Sequence, residues 1–280
     1  MINWFPGHMA KARRMLDEQA ALVDIICELS DARIPLSSRN PELDAVAAKK
    51  PRLLILNRVD LADPKVTAEW VSELKAQGTA LIEVDARSGK GVANFPKAVR
   101  EVLKDKLAKE AERGQTKPIR AMIVGIPNVG KSTFINKAAK RKAAIASDRP
   151  GVTRGRQWIN VDAGLDLLDT PGLLWPKLTS ETLANHLAFT GAINDDILDI
   201  EDIAAKLLVE IAAKYPQLLT ARYKADDFTL EPHELLEAVT KKRGFLRSGG
   251  VPDTERMSRI LLDEFRGGVI GRITLETIDK

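Results

Sequence analysis

The most chemically legible residues of this chain lie in Gly125-Ile126-Pro127-Asn128-Val129-Gly130-Lys131-Ser132, a G-x-x-x-x-G-K-S pattern. Glycines at these positions let successive backbone N–H groups wrap a phosphate without Cβ clashes. The lysine reaches the β and γ phosphates, and the serine hydroxyl is a hard oxygen ligand for Mg²⁺. A strand-like run, Ala121-Met122-Ile123-Val124, precedes the loop, and a helical stretch from Thr133 to Ala139 follows it. The helix N-terminus is therefore aimed at the same anion. Asn128, Val129, Gly130, Lys131, Ser132 and Thr133 are the expected phosphate contacts, and Lys131 is a catalytic cation.

Downstream, Leu165-Asp166-Leu167-Leu168-Asp169-Thr170-Pro171-Gly172 reads as a strand ending in D-x-x-G. An aspartate there holds the Mg²⁺ shell through water, and the glycine N–H faces a γ-phosphate. The tetrapeptide alone is an ordinary turn; on a strand following the phosphate loop it assigns Asp169 to the metal and Gly172 to the nucleotide. Between them, the loop Arg149-Pro150-Gly151-Val152-Thr153-Arg154-Gly155 offers Thr153 as a further Mg²⁺ ligand, against the plainer reading of a surface threonine.

Guanine presents N1–H and a 2-amino group to one carboxylate, a donor pair that adenine lacks. The motif that reads it, N/T-K-x-D, normally follows D-x-x-G. Downstream, the nearest string is Thr240-Lys241-Lys242-Arg243, which has no aspartate. Upstream, a strand-like run ends in Asn57-Arg58-Val59-Asp60, with Arg in place of Lys. Either side chain can lay an aliphatic stem on a purine face. After the next such run comes Val84-Asp85-Ala86-Arg87-Ser88-Gly89, which matches the loop whose backbone N–H meets guanine O6 and makes Asp85 and Ala86 base contacts. The alternative is a chance tetrapeptide in an ATPase. The order of base motifs, phosphate loop, threonine and D-x-x-G is a circular permutation of the usual one. Such a rearrangement is permissible because domain termini lie at the surface and close together. Residues 101–120 would join the old ends.

These residues need a scaffold. The strand-like runs 23–29, 52–56, 80–84 and 121–124 alternate with helical patterns, which predicts an α/β fold with a mostly parallel sheet and helices on both faces. Residues 9–21 read as a basic amphipathic helix and 92–113 as one long charged helical stretch with a linker after it. Beyond Pro176 helical patterns take over, Ile200 to Tyr215 and Thr254 to Arg266 among them, with breaks at Pro216, Pro232 and Gly249-Gly250. The expected division is a permuted P-loop GTPase domain at 1–177 and an all-α domain at 178–280. No apolar run approaches the ~18 residues of a membrane span, and the first residues do not form a signal peptide. Cys27 is the sole cysteine, so no intrachain disulfide or thiolate cluster exists. The net charge of +4 hides a basic first part and an acidic second part, which suggests a polyanion partner. Residues 241–272 are basic again, suggesting a second polyanion contact.

Longer runs carry a resemblance: Trp4-Phe5-Pro6-Gly7-His8-Met9-Ala10-Lys11-Ala12, Asp31-Ala32-Arg33-Ile34-Pro35-Leu36-Ser37-Ser38-Arg39-Asn40-Pro41, Asp148-Arg149-Pro150-Gly151-Val152-Thr153 and Asp169-Thr170-Pro171-Gly172-Leu173-Leu174-Trp175-Pro176. With the nucleotide motifs, essentially the whole chain resembles the circularly permuted YlqF-type GTPases. That resemblance implies GTP/GDP with Mg²⁺ and assembly of the large (50S) ribosomal subunit through its rRNA. No DNA partner is expected, and the protein is expected to be a cytoplasmic monomer. A GTPase of tRNA modification or signalling is the alternative.

Ras-like enzymes place a Gln near the D-x-x-G glycine to orient the attacking water. Here the neighbours are Leu173, Leu174 and Trp175, so hydrolysis by the chain alone should be slow. Three suppliers of the missing group stay open. His8 is the residue the resembled family is thought to use, although it could equally contact RNA or only pack. Asn128 matches the asparagine that binds K⁺ in cation-dependent GTPases. The third is Arg154, Arg156 or a ribosomal group. His186 and His233 are expected to be structural or surface residues. Because Gly172 leads directly into the helical part, GTP-dependent ordering of 172–177 is expected to reorient 178–280.

Overall fold

The computed structural model describes residues 14, 16–41, 43, 50–115, 117–139, 158–170, 172, 174 and 180–278. Six strands form one sheet: β1 (Ile25–Asp31), β2 (Arg52–Asn57), β3 (Leu81–Glu83), β4 (Ile119–Gly125), β5 (Trp158–Asp162) and β6 (Leu165–Asp169). Their spatial order is β3-β2-β1-β4-β6-β5. All neighbours are parallel except the edge pair β5–β6. Parallel strands need crossovers, and both faces are consequently covered.

Alternation along the strands divides the residues between those faces. Ile25, Cys27 and Leu29 of β1, with Ile123 of β4, pack against Phe95 and Val99 of α2 (Phe95–Val102) and Phe134 of α4 (Lys131–Ala138). Ile26, Met122, Val124 and Leu168 face Leu16 and Ala20. Leu54 meets Trp70 and Leu74 of α1 (Pro64–Ala76), a helix started by Asp63, whose carboxylate accepts from the N–H groups of Lys65 and Val66. Phe95 and Phe134 meet edge to face, with ring centroids 5.2 Å apart. That contact orients the helix that follows the phosphate loop. Burial pushes the Cys27 thiol pKa up, leaving it an inert core residue.

The predicted stretch 92–113 is broken. It comprises a 3₁₀ turn (Val92–Asn94), α2 and α3 (Lys104–Glu112), joined at Leu103. Leu103 is buried in the core, whereas α3 buries no residue and skims the surface on the way to β4. Of the predicted helix 9–21, residues 16–20 are helical; 1–13 lie outside the described residues.

From 180 onward the described chain is helical: α5 (Glu181–Phe189), α6 (Ile200–Lys214), α7 (Pro216–Tyr223), α8 (Pro232–Lys242) and α9 (Thr254–Gly267). Pro216 and Pro232 start helices α7 and α8, where a missing N–H costs nothing. The expected boundary at 177 is crossed by the chain end. Residues 271–278, without regular secondary structure, run back along the first part. Ile273 N–H donates to Leu61 O at 3.0 Å, Leu275 N–H to Arg33 O at 2.8 Å, and the Trp70 indole to Glu276 O at 2.9 Å.

Candidate functional site

Strand register gathers the motifs. Asn57 at the end of β2 is level with Asp31 of β1, Gly125 is level with Leu29, and Asp169 of β6 is level with Ile123. The base motif, phosphate loop and D-x-x-G therefore emerge from the carboxyl edge of one parallel sheet, although the first precedes the others in sequence by some sixty residues or more. That edge is where open α/β sheets bind ligands.

The phosphate loop adopts the strained backbone that an anion cradle requires. Asn128 and Gly130 have positive φ (57° and 101°), and Gly130 caps α4. A Cβ at Gly130 would lie 2.6 Å from Asn57 Nδ2, so only glycine fits. Pro127, Asn128, Gly130, Lys131, Ser132, Thr133, Asp169, Thr170, Gly172 and Arg58 line an open cavity of about 620 Å³. Gly172 lies against Pro127 and Lys131, beside the loop as its motif requires. Lys131 is buried, and Nζ donates to Gly125 O (3.0 Å) and Ile126 O (2.8 Å). Burial lowers its pKa to about 8 against the pull of the Asp169 carboxylate. Asp169 is shifted up, by burial first and against Lys131. The Ser132 hydroxyl and Asp169 carboxylate share this cavity with the lysine, a hard-oxygen donor set that fits Mg²⁺ with phosphate oxygens completing the shell. Thr153, Arg154, Arg156 and His8 lie outside the described residues.

Next to it, Asn57, Arg58, Asp60, Leu61, Asp85, Ala86, Arg87, Gly130 and Thr133 line a second cavity of about 380 Å³, shared with Arg266 and Gly267. Asn57 is fully buried and acts as a brace. Its Nδ2 donates to Val129 O (2.8 Å), and its Oδ1 accepts the Ala86 N–H (3.0 Å). Asp85 is likewise committed, accepting from the N–H groups of Arg87 (2.9 Å) and Ser88 (3.1 Å). The amides expected to meet a base oxygen thus hold the loop in shape here. Asp60 is exposed in the cavity and presents the carboxylate expected to read guanine. Val59 is half-buried and packs beneath it against Leu56 and Ala62.

Arg58 explains its departure from lysine. It donates to Asn128 O (2.5 Å), and its Nε lies 3.7 Å from Asp31, a reach and fork that an ammonium lacks. Asp31 in turn accepts two bonds from the fully buried Arg33 guanidinium (3.0 and 2.8 Å). Burial alone would raise the Asp31 pKa; Arg33 and Arg58 outweigh it and hold the carboxyl below its ordinary value. Arg33 also donates to Phe265 O (3.2 Å) and Arg266 O (3.5 Å) at the end of α9. The run Asp31-Ala32-Arg33 is therefore a clamp between sheet and helices, a role its sequence does not announce.

Further contacts carry no signal in the sequence. Asn128 Nδ2 donates to Gly191 O (2.7 Å), so the phosphate loop is tied to the helical part. His186 is buried, with Nε2 2.9 Å from Glu210 and Nδ1 3.1 Å from Glu276. Glu276 also accepts the N–H of Ser37 (2.9 Å). Each pairing joins residues far apart in the chain, with no local signal to mark it.

Known proteins decide the family. A protein of Bacillus cereus named ribosome biogenesis GTPase A is 46% identical over 281 residues, covering 100% of this chain and 95% of that protein. The chain belongs to the ribosome biogenesis GTPase A family. The protein of that name from Priestia megaterium is 47% identical over 98% of this chain and 96% of its own length. The GDP-bound structure of Thermotoga maritima YlqF matches with a TM-score of 0.71 at 29% identity, covering 95% of this chain and 100% of that one. The profile of the 50S ribosome-binding GTPase family matches residues 120–237. That match opens at β4 and leaves out the base motif at 57–60, which in this family lies upstream. The chain is a circularly permuted, GTP-hydrolysing enzyme.

Proposed function

We propose that this GTPase acts in assembly of the large (50S) ribosomal subunit and binds its rRNA, turning over GTP slowly alone and faster on the subunit. The observation that carries the reading is the joining of an exposed Asp60, a braced Asn57, the phosphate loop and Asp169–Gly172 on one sheet edge, in a chain related over its full length to ribosome biogenesis factors. In this reading Lys131 moves from its carbonyl partners to the β and γ phosphates, and Gly172 senses the γ-phosphate. Ser132, Asp169 and Thr153 would hold Mg²⁺, which would supply positive charge against that developing on the phosphates.

Slow turnover alone follows from what flanks Gly172. Leu174 packs against the main hydrophobic core, and a leucine cannot orient a water in any case. His8 is the proposed supplier of that function on the subunit, aided by K⁺ at Asn128. A cation would be held by Asn128 Oδ1, while Nδ2 stays bonded to Gly191 O, so the contact to the helical part fixes the orientation of that amide. The division into 1–177 and 178–280 is kept as a functional one, the second part being the ribosome-facing part. Its basic stretch 241–272 is thinner than its composition suggests: Arg266 and Arg272 are spent on internal carbonyls and Asp195. Lys242 pairs with Asp226, and Arg247 with Asp253. Lys241 pairs with Glu237 and Arg259 with Glu255, leaving Arg243 and Arg256, which flank the Phe245 ring, as the cations best placed to meet phosphates there. We place the protein in the cytoplasm, as a monomer with no DNA partner.

The deciding experiment is a GTPase assay with and without large subunits, in K⁺ and in Na⁺, on the parent and on His8→Ala. Stimulation by large subunits and by K⁺ is expected, with GTP binding retained and stimulation lost in His8→Ala. Stimulation by tRNA instead of subunits would assign the chain to another RNA process. Unchanged turnover in His8→Ala removes that residue from the mechanism.

A further inference from the structure

The base cavity is not built by the nucleotide-binding part alone. Its far wall is Arg266-Gly267, the C-terminal turn of α9, more than two hundred residues along the chain from Asn57. We infer that the end of α9 is the outer wall of the guanine slot, and that Gly267 sets how tightly the base is held.

The wall is fixed from both sides. Arg266 makes a two-pronged pair with Asp195 (2.7 and 2.7 Å) and donates to Ala188 O (2.8 Å) and Phe189 O (3.0 Å), so its guanidinium is spoken for within the helical part. Arg33, just past β1, reaches up to the carbonyls of Phe265 and Arg266, adding a second donor to Phe265 O beside the Gly268 N–H and one to Arg266 O. Gly268, at φ +73°, closes the helix, and a Cβ there would strike Leu61 Cδ2 at 2.6 Å. This close approach seats the end of α9 on Leu61, the residue after the base-reading Asp60. Ile273 N–H then bonds Leu61 O, and Arg272 donates to Val59 O and Ala62 O. The base-reading loop is thus held on its outer side by the last helix and the segment after it.

Gly267 differs from its neighbour. It is exposed, has helical backbone, and a Cβ on it meets only Val269 Cγ2, at 3.8 Å. A side chain is therefore tolerated by the fold, and leucine raises the helix propensity of that turn. Gly267 lines the cavity together with Asp60 and Ala86, so bulk added at this position narrows the space left for a base. With helical φ and open space around it, Gly267 is the one position of this wall where a side chain can be added without disturbing the fold.

The inference rests on the guanine-nucleotide reading, and the test separates the two. GDP affinity is measured by calorimetry for the parent, Gly267→Ala and Gly267→Leu, with thermal shift by inorganic tripolyphosphate as the phosphate-only probe. Affinity for GDP is expected to fall about threefold for Ala and at least tenfold for Leu, with the tripolyphosphate shift unchanged and the nucleotide-free melting temperature not lowered. If Gly267→Leu fails to fold, the Ala variant decides. Parent-like GDP affinity in both variants overturns the inference and leaves the GTPase reading standing. Equal loss of tripolyphosphate response also overturns it, since the damage then lies in the phosphate loop. A parent that binds no GDP overturns both.

Discussion

Replacing His186 with asparagine should lower stability in a pH-dependent way. Burial pulls the imidazole pKa down, but the hydrogen bonds and charges of Glu210 and Glu276 prevail and push it from an ordinary 6.5 up to about 9. A rise of that size favours the protonated folded state by about 3 kcal/mol. Because the folded value lies above the unfolded one, this contribution is complete below pH 6.5 and is lost as pH climbs through 9. At about 2–4 °C per kcal/mol for a chain of this length, the parent should melt about 6–12 °C above His186→Asn at pH 6. The gap should narrow between pH 8 and 10, because the parent itself then has a neutral imidazole between two carboxylates. Thermal unfolding followed by circular dichroism from pH 6 to 10 measures it, and an NMR titration of the ring gives the pKa directly. A gap that stays constant across that range, or a ring midpoint below 7, would refute the reasoning. The consequence is mechanical: Glu276 carries both this pair and the Ser37 amide, so the imidazolium pins the chain end to the first part of the molecule.

Two other substitutions probe the site and its support. Asp60→Asn should weaken GDP binding about 100-fold by removing a charged acceptor for two donors, and should shift preference toward xanthosine diphosphate; competition binding with both nucleotides checks it. Arg33→Ala leaves Asp31 buried with only Arg58 as a nearby cation and removes the side-chain donors to Phe265 O and Arg266 O, so a loss of about 3–5 kcal/mol is expected in chemical denaturation.

The sequence alone determined the class of enzyme and the motifs that point to its chemistry. Phosphate, magnesium and guanine each demand particular residue types at fixed local spacing. Gly125 to Ser132, Asp169 to Gly172 and Asn57 to Asp60 could therefore be read without a structure, as could the permuted order. Strand alternation and helix periodicity are likewise local, and the sheet and most helices followed from them; the break at Leu103 did not. The tertiary structure decided everything that depends on pairs distant in the chain. It made Arg33 a cap for a helix that begins at Thr254, engaged Asn128 with Gly191, and buried His186 between carboxylates from α6 and the chain end. It also brought Arg266 and Gly267 to the base cavity. A buried charge or a glycine looks the same in sequence whether it serves its own helix or another element. Only the folded neighbours settle which, because burial and hydrogen-bond partnership are properties of the assembled surface and not of the peptide.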